Sequence, residues 1–133
     1  MKNITLFTVL AVIMSVLGAG CAKTESARAL SINDIQSDPL SFTGEITING
    51  VVTAFSQSDT TVFGVVDTEE LLVCKTLNCG AFMLPSLYAG DKPLPELGDE
   101  VNITGSFVEY QNGHIFKVKN FEVRRNIMSL ISS

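Results

Sequence analysis

The sequence predicts an all-β domain: a five-stranded Greek-key barrel with a short N-terminal helix, behind a cleaved export signal. Three observations predict it. Strand-like runs recur at residues 45–55, 60–67, 71–74, 101–110 and 114–124, several with the period-2 apolar alternation of half-buried strands. Gly50 interrupts the first of them, as a bend or bulge in a barrel strand does. Turn chemistry separates the rest, above all Gln111-Asn112-Gly113-His114, whose Asn-Gly pair is a strong hairpin signal.

The elements follow in order. Ser31 is placed to cap a short helix, with Asp34 at the third position after it and Ile32 and Ile35 on one face. Asp38-Pro39 ends that helix, because the residue before a proline is pushed out of helical conformation. Ile46 and Ile48 alternate into the first strand, and Ser56-Gln57-Ser58-Asp59 turns the chain into the second. Residues 71–74 read as a short third strand. Residues 76–98 carry three prolines and three glycines and read as mostly loop, with a further short strand at 81–84. Val101, Ile103, Gly105 and Phe107 share a face of the fourth strand. In the fifth, Phe116 and Val118 share one parity and Phe121 and Val123 the other, which requires a bulge near Lys119-Asn120. Residues 126–133 read as a C-terminal tail.

The N-terminus is different in kind. Lys2 precedes an apolar run over residues 4–17, and Gly18-Ala19-Gly20 leads to Cys21. A charged start, an apolar stretch and a small-residue exit describe a secretory signal. The run is shorter than the roughly 20 residues a membrane-spanning helix needs. Leu17-Gly18-Ala19-Gly20-Cys21 resembles the lipobox of bacterial lipoproteins. The resemblance implies cleavage before Cys21, lipidation of its sulfur, and a membrane attachment through the lipid. Ala22 in place of Asp implies the outer membrane, facing the periplasm, for a Gram-negative source. The expected divisions are therefore 1–20 as signal, 21–30 as lipidated cysteine and tether, 31–125 as the folded domain, and 126–133 as tail.

Once the signal is removed, about 113 residues remain, enough for one small domain. Net charge is −5, and loss of Lys2 deepens it. An acidic chain is a poor general binder of nucleic acid, which is held by clustered Lys and Arg, so nucleic acid is not expected as a partner. With Cys21 spent on lipid, Cys74 and Cys79 remain as an even pair in a disulfide-permitting compartment, and a disulfide is expected.

Ser31-Ile32-Asn33-Asp34-Ile35, Asp38-Pro39 and the run from Phe42 to Val52 resemble the opening of the tRNA-anti-like family of OB-fold lipoproteins. Leu97-Gly98-Asp99-Glu100-Val101-Asn102-Ile103-Thr104-Gly105 is similar to the strand that opens the second half of such barrels. The resemblance spans most of residues 31–124 and rests on turn, glycine and core positions. It implies the fold more than the ligand.

No Ser-His-Asp or Cys-His pattern surrounds a turn or elbow, so no enzyme is expected. No cofactor is expected. Binding barrels use aromatic platforms beside cations. On that chemistry the candidate binding face is Phe55, Phe63, Tyr110, His114, Lys117 and Lys119. The resulting expectation is a non-enzymatic envelope module that binds a protein or polymer. The alternative is a thiol or metal module for redox chemistry or cofactor assembly, using Cys74 and Cys79. Asp67, Glu69, Glu70 and His114 are the side chains that could complete such a site.

Overall fold

A computed structural model describes residues 29–131; the signal, Cys21 and most of the tether lie outside the described residues. Among the described residues the structure is mostly β, a six-stranded sheet with few helices. The order is β1 (Leu30–Ser31), α1 (Ile32–Gln36), β2 (Ile46–Phe55), β3 (Val62–Val66), α2 (Thr68–Cys74), β4 (Met83–Leu87), β5 (Asp99–Tyr110), β6 (Gly113–Asn126) and α3 (Met128–Ile131). No helix among the described residues is long and apolar enough to cross a membrane.

The helix α1 forms as its sequence demands. The Ser31 hydroxyl accepts from Asp34 N at 3.2 Å, and Asp34 Oδ2 accepts from Ser31 N at 2.9 Å. That reciprocal box satisfies two donors at the helix start, with Asp doing the work usually given to Glu. Ile32 and Ile35 are buried beneath it.

Strand β2 organises the sheet. Its first half pairs antiparallel with β5, from Ile46 opposite Gly105 to Val51 opposite Glu100. Its second half pairs antiparallel with β3, from Val51 opposite Val66 to Phe55 opposite Phe63. Strand β3 then pairs antiparallel with β4, β4 parallel with β6, and β6 antiparallel with β5. The pairings therefore return to β2. Gly50 sits at the handover in β2, and a Cβ there would collide with the Val65 side chain and stand 2.9 Å from the Val66 carbonyl oxygen. The irregularity expected at Gly50 falls instead at Thr53, between the Val52 and Ala54 pairings. Gly50 is needed for close approach rather than for a bulge.

Two apolar clusters result. The larger holds Ile48, Val52, Phe63, Val65, Val101, Ile103, Phe116 and Phe121, with Ile32 and Ile35 of α1 packed against them. Successive strand residues face opposite ways, so Val51 and Val66 lie on the other side of the sheet. There they meet Leu71 of α2 and Ile127 and Ile131 at the C-terminal end. The segment expected as a tail from residue 126 thus contributes to the core, and Ile127 has no exposed surface.

Three elements differ from expectation. Residues 71–74 belong to a helix, not a strand. Asp67 caps it, its Oδ1 accepting from Glu69 N at 3.0 Å and Glu70 N at 3.2 Å. Glu69 and Glu70 complement the positive end of the helix in its first turn. Leu71 is buried while Val73 is 83 % exposed, so the apolar run does not make a two-sided strand. Second, the short strand expected at 81–84 is β4, which runs later, Met83–Leu87, with Pro85 inside it and Leu84 and Ser86 buried. Third, the β5–β6 turn is centred on Gln111 and Asn112, at φ 43° and 65°, with Gly113 already paired to Tyr110. Two positive φ values are what a two-residue hairpin turn of type I′ requires. The bulge in β6 is at Lys119, where Asn120 faces Thr104 and Val118 faces Gly105. A second lies at Arg124, between the Glu100–Arg125 and Val101–Val123 pairs.

Candidate functional site

The loop over residues 56–61 joins β2 to β3 and is built around Asp59. Its Oδ1 accepts from Thr61 N at 2.9 Å and from Thr61 Oγ1 at 2.6 Å, and its own N–H donates to Ser56 Oγ at 3.2 Å. This is the local bonding by which Asp and Ser hold turns. The second carboxylate oxygen is turned outward and accepts from the Tyr110 hydroxyl at 3.1 Å. A loop and a hairpin distant in sequence are thereby joined. The bonds from Thr61, then that from Tyr110, hold the Asp59 carboxyl below its usual 3.8. The bond to Asp59 pushes the Tyr110 hydroxyl above its usual 10.0.

The sequence-predicted face is only partly assembled. Phe63 is corrected: it is 1 % exposed, in the main core, and cannot meet a ligand. It lies inside β3 on the core face with Val65, while Phe55, the last residue of β2, is 42 % exposed. Tyr110 and His114 flank the β5–β6 turn and line a shallow pocket of about 450 Å³ there, with His114 exposed. Lys117 is exposed on β6, opposite Ser106 on one side and Leu87 on the other. Lys119 is exposed at the bulge and pairs with Glu45 at 3.3 Å. Asp59 is the residue that sequence reading missed as a site residue. Its polar turn was legible, but its partner lies 51 positions away.

Away from these loops, a polar groove of about 880 Å³ opens beside β1. Thr68 Oγ1 donates to Asn49 Oδ1 at 2.8 Å, and Asn49 Nδ2 donates to Asn102 Oδ1 at 2.9 Å. That chain of bonds ties α2 to β2 and β5 along the groove wall. Cys74 and Cys79 are joined as a disulfide, closing α2 onto the following loop. The bond occupies both thiols that the metal alternative required. Among the described residues, no group of three or more His, Cys, Asp or Glu is assembled for a metal.

No protein-family model and no curated protein matches the chain. Solved structures do resemble it. One is a chain of the crystal structure of the S. pombe Stn1-ten1 complex, at TM-score 0.38 and 13 % identity over 65 % of this chain. The match spans 62 % of that chain, less than two thirds of its length.

The exclusion of nucleic acid as a partner is withdrawn. The exclusion used net charge, a sum over the whole chain, and a sum hides placement. The cations of the described residues are Lys75, Lys92, Lys117, Lys119, Arg124 and Arg125. Four of these belong to β6, and Lys92 donates from Nζ to Asn120 Oδ1 at 2.8 Å and to Phe121 O at 3.2 Å on the same strand. An acidic chain thus carries one basic strand.

Proposed function

We propose that the chain is a lipid-anchored, non-enzymatic binding module of the cell envelope, built as an OB-fold. The order of strand pairing carries the reading. An OB-fold is a five-stranded, partly open Greek-key barrel. Strands β2 to β6 return on themselves in their pairing, and the parallel β4–β6 contact that completes the circuit is only two residue pairs long. In such barrels the loop after the first strand and the loop between the fourth and fifth border the ligand. Here those are residues 56–61 and the Gln111-Asn112 turn, the two segments that Asp59 and Tyr110 bind together. The ligand class is an envelope protein or polymer, met by Tyr110, His114 and Phe55. Anchoring rests on the sequence of residues 1–21, with Cys21 as the lipidated residue and, in a Gram-negative cell, the outer membrane as its place.

Photo-cross-linking in cells tests both parts. A photoreactive residue at Ser58 or His114 of the full chain is expected to capture an envelope component, and one at Glu69 is not. Equal capture from Glu69, or none from Ser58 and His114, overturns the binding face. Cys21→Ser is expected to release the protein from membranes, and unchanged membrane retention overturns the anchor.

A redox role for Cys74 and Cys79 is the second reading. Cys74 is exposed and Cys79 half-buried, so a reductant can reach the bond. Slow reduction at the potential of the envelope dithiols counts against it.

A further inference from the structure

We propose that the unpaired outer edge of β6 is a docking edge for an extended, acidic segment of a protein partner. Strand β6 pairs with β5 along its length, from Gly113 opposite Tyr110 to Asn126 opposite Asp99. On its other side β4 covers only Phe116 and Lys117. Beyond Lys117, among the described residues, no strand lies against that side. Such an edge presents main-chain N–H and C=O groups that another chain can pair with.

The direction of those groups is fixed by one contact. Lys92 Nζ donates to the Phe121 carbonyl oxygen at 3.2 Å, so that carbonyl points away from β5. Main-chain groups alternate sides along a strand. The N–H and C=O of Val123 therefore point to the same open side. Asn120 through Val123 keep regular register with β5 between the bulges at Lys119 and Arg124, which leaves a short, straight stretch for a partner. Val123 is itself 45 % exposed, an apolar side chain beside the open groups. Lys92 is held in place by its own N–H bond to the Tyr88 hydroxyl and lies 5.2 Å from the Phe121 ring centroid. A lysine across an open edge is a common guard against unspecific pairing. It also leaves a positive charge where a partner would enter.

Charge selects the partner. Lys92, Lys117, Lys119, Arg124 and Arg125 all lie on this strand or against it, with Glu122 as the one acid of β6. Lys119 and Arg125 are engaged with Glu45 and Glu100, and Arg124 lines the groove beside β1 with Glu69 and Glu100, whereas Lys92 and Lys117 have no ion-pair partner among the described residues. Carboxylates on an incoming segment answer those cations. Its main chain answers Phe121 and Val123, which a nucleic acid backbone, with no amide groups, does not do. Strand addition of this kind takes affinity from main-chain bonds and selectivity from the side chains. The edge is separate from the Asp59–Tyr110 loops, so the two readings fail independently.

The test is a titration of the isotope-labelled mature chain, followed by amide NMR, with a peptide of three Glu-Val repeats. Saturable shifts are expected at residues 119–125. Val123→Pro removes the outward N–H without removing a bond to β5, and Lys117→Glu reverses a charge that has no ion-pair partner among the described residues. Each is expected to weaken binding about tenfold or more, with Val73→Ala, a change at an exposed position of α2, leaving it unchanged. If Val123→Pro fails to fold, Lys117→Glu and a Lys-Val peptide of equal length decide the matter. No saturable shift at residues 119–125 overturns the proposal. Equal binding of the Lys-Val peptide also overturns it. So does preferential binding there of an oligothymidylate that Val123→Pro leaves intact, since that assigns the strand to polyanions.

Discussion

The Tyr110 hydroxyl donates to Asp59 Oδ2 at 3.1 Å and joins the β2–β3 loop to the β5–β6 hairpin. Asp59 is also the residue that organises its own loop, through Thr61. One carboxylate therefore sets the shape of the loop and its position against the hairpin. Tyr110→Phe keeps the ring and removes only the second function. The expected result is faster amide exchange in residues 56–61, with Thr61 N–H, still bonded to Asp59, slowest among them. Unchanged exchange throughout that loop would show the clasp to be without effect on its order.

The same bond has a pH signature at both ends. Asp59 titrates below its usual 3.8, so its contribution to stability is present above 3.8 and is lost as pH falls through the lowered value. Tyr110 titrates above its usual 10.0, so its contribution is present below 10.0 and is lost as pH rises through the raised value. The chain has two tyrosines and no tryptophan, which makes ultraviolet titration clean in a Tyr88→Phe background. There Tyr110 should ionise above 10.0, and Asp59→Asn should bring it back toward that value.

Asp67 is expected to matter more than its place in an acidic loop suggests. It is buried, caps α2 through two bonds, and its other oxygen accepts from Asn33 N at 3.4 Å. Removing a helix cap costs about 1 kcal/mol, and typically no more than about 2. Asp67→Ala should lower the urea midpoint accordingly. Asp67→Asn or Asp67→Ser, which cap as well, should recover most of the loss.

Much of this architecture was legible because it is local. The Ser31–Asp34 box, the Lys119 bulge and the position of the β5–β6 hairpin all follow from residues close in sequence. What was missed depended on competing or distant signals. The Leu71-Leu72-Val73 run suggested a strand, but the Asp67 cap and the two glutamates after it favoured a helix. The short strand expected at 81–84 stopped before Pro85, yet β4 runs through it opposite Gly64, a residue with no side chain. Phe63 and Phe55 are both aromatics of strand segments and face each other in the pairing, and only the end of β2 at Phe55 leaves that ring exposed. The Asp59–Tyr110 clasp joins residues that no local pattern connects.

The Cys74–Cys79 bond closes a short loop, so its effect on the unfolded chain is small. Chain-entropy arithmetic gives about 2 kcal/mol for a loop of this length. Reduction should lower the melting temperature modestly without unfolding the domain. Locally the effect is larger. The loop returns toward α2 through Ala81 N, which donates to Glu70 Oε2 at 3.1 Å. Exchange at Ala81 should quicken on reduction, while amides of β5 and β6 should not change.

Ile127 gives the sharpest test of where the domain ends. It lies just past β6, its N–H donates to Gly98 O at 2.9 Å, and its side chain packs with Val51, Val66, Leu71 and Ile131. These residues cover the face of β2 and β3 turned away from the main core. A domain complete at residue 125 would lose little on Ile127→Ala. A domain whose second cluster is filled from the C-terminal end would lose about 2–5 kcal/mol, the usual cost of deleting a buried isoleucine side chain to alanine. Denaturant unfolding separates the two outcomes. The larger loss is expected, with Leu130→Ala, a change at a half-exposed neighbour, costing far less.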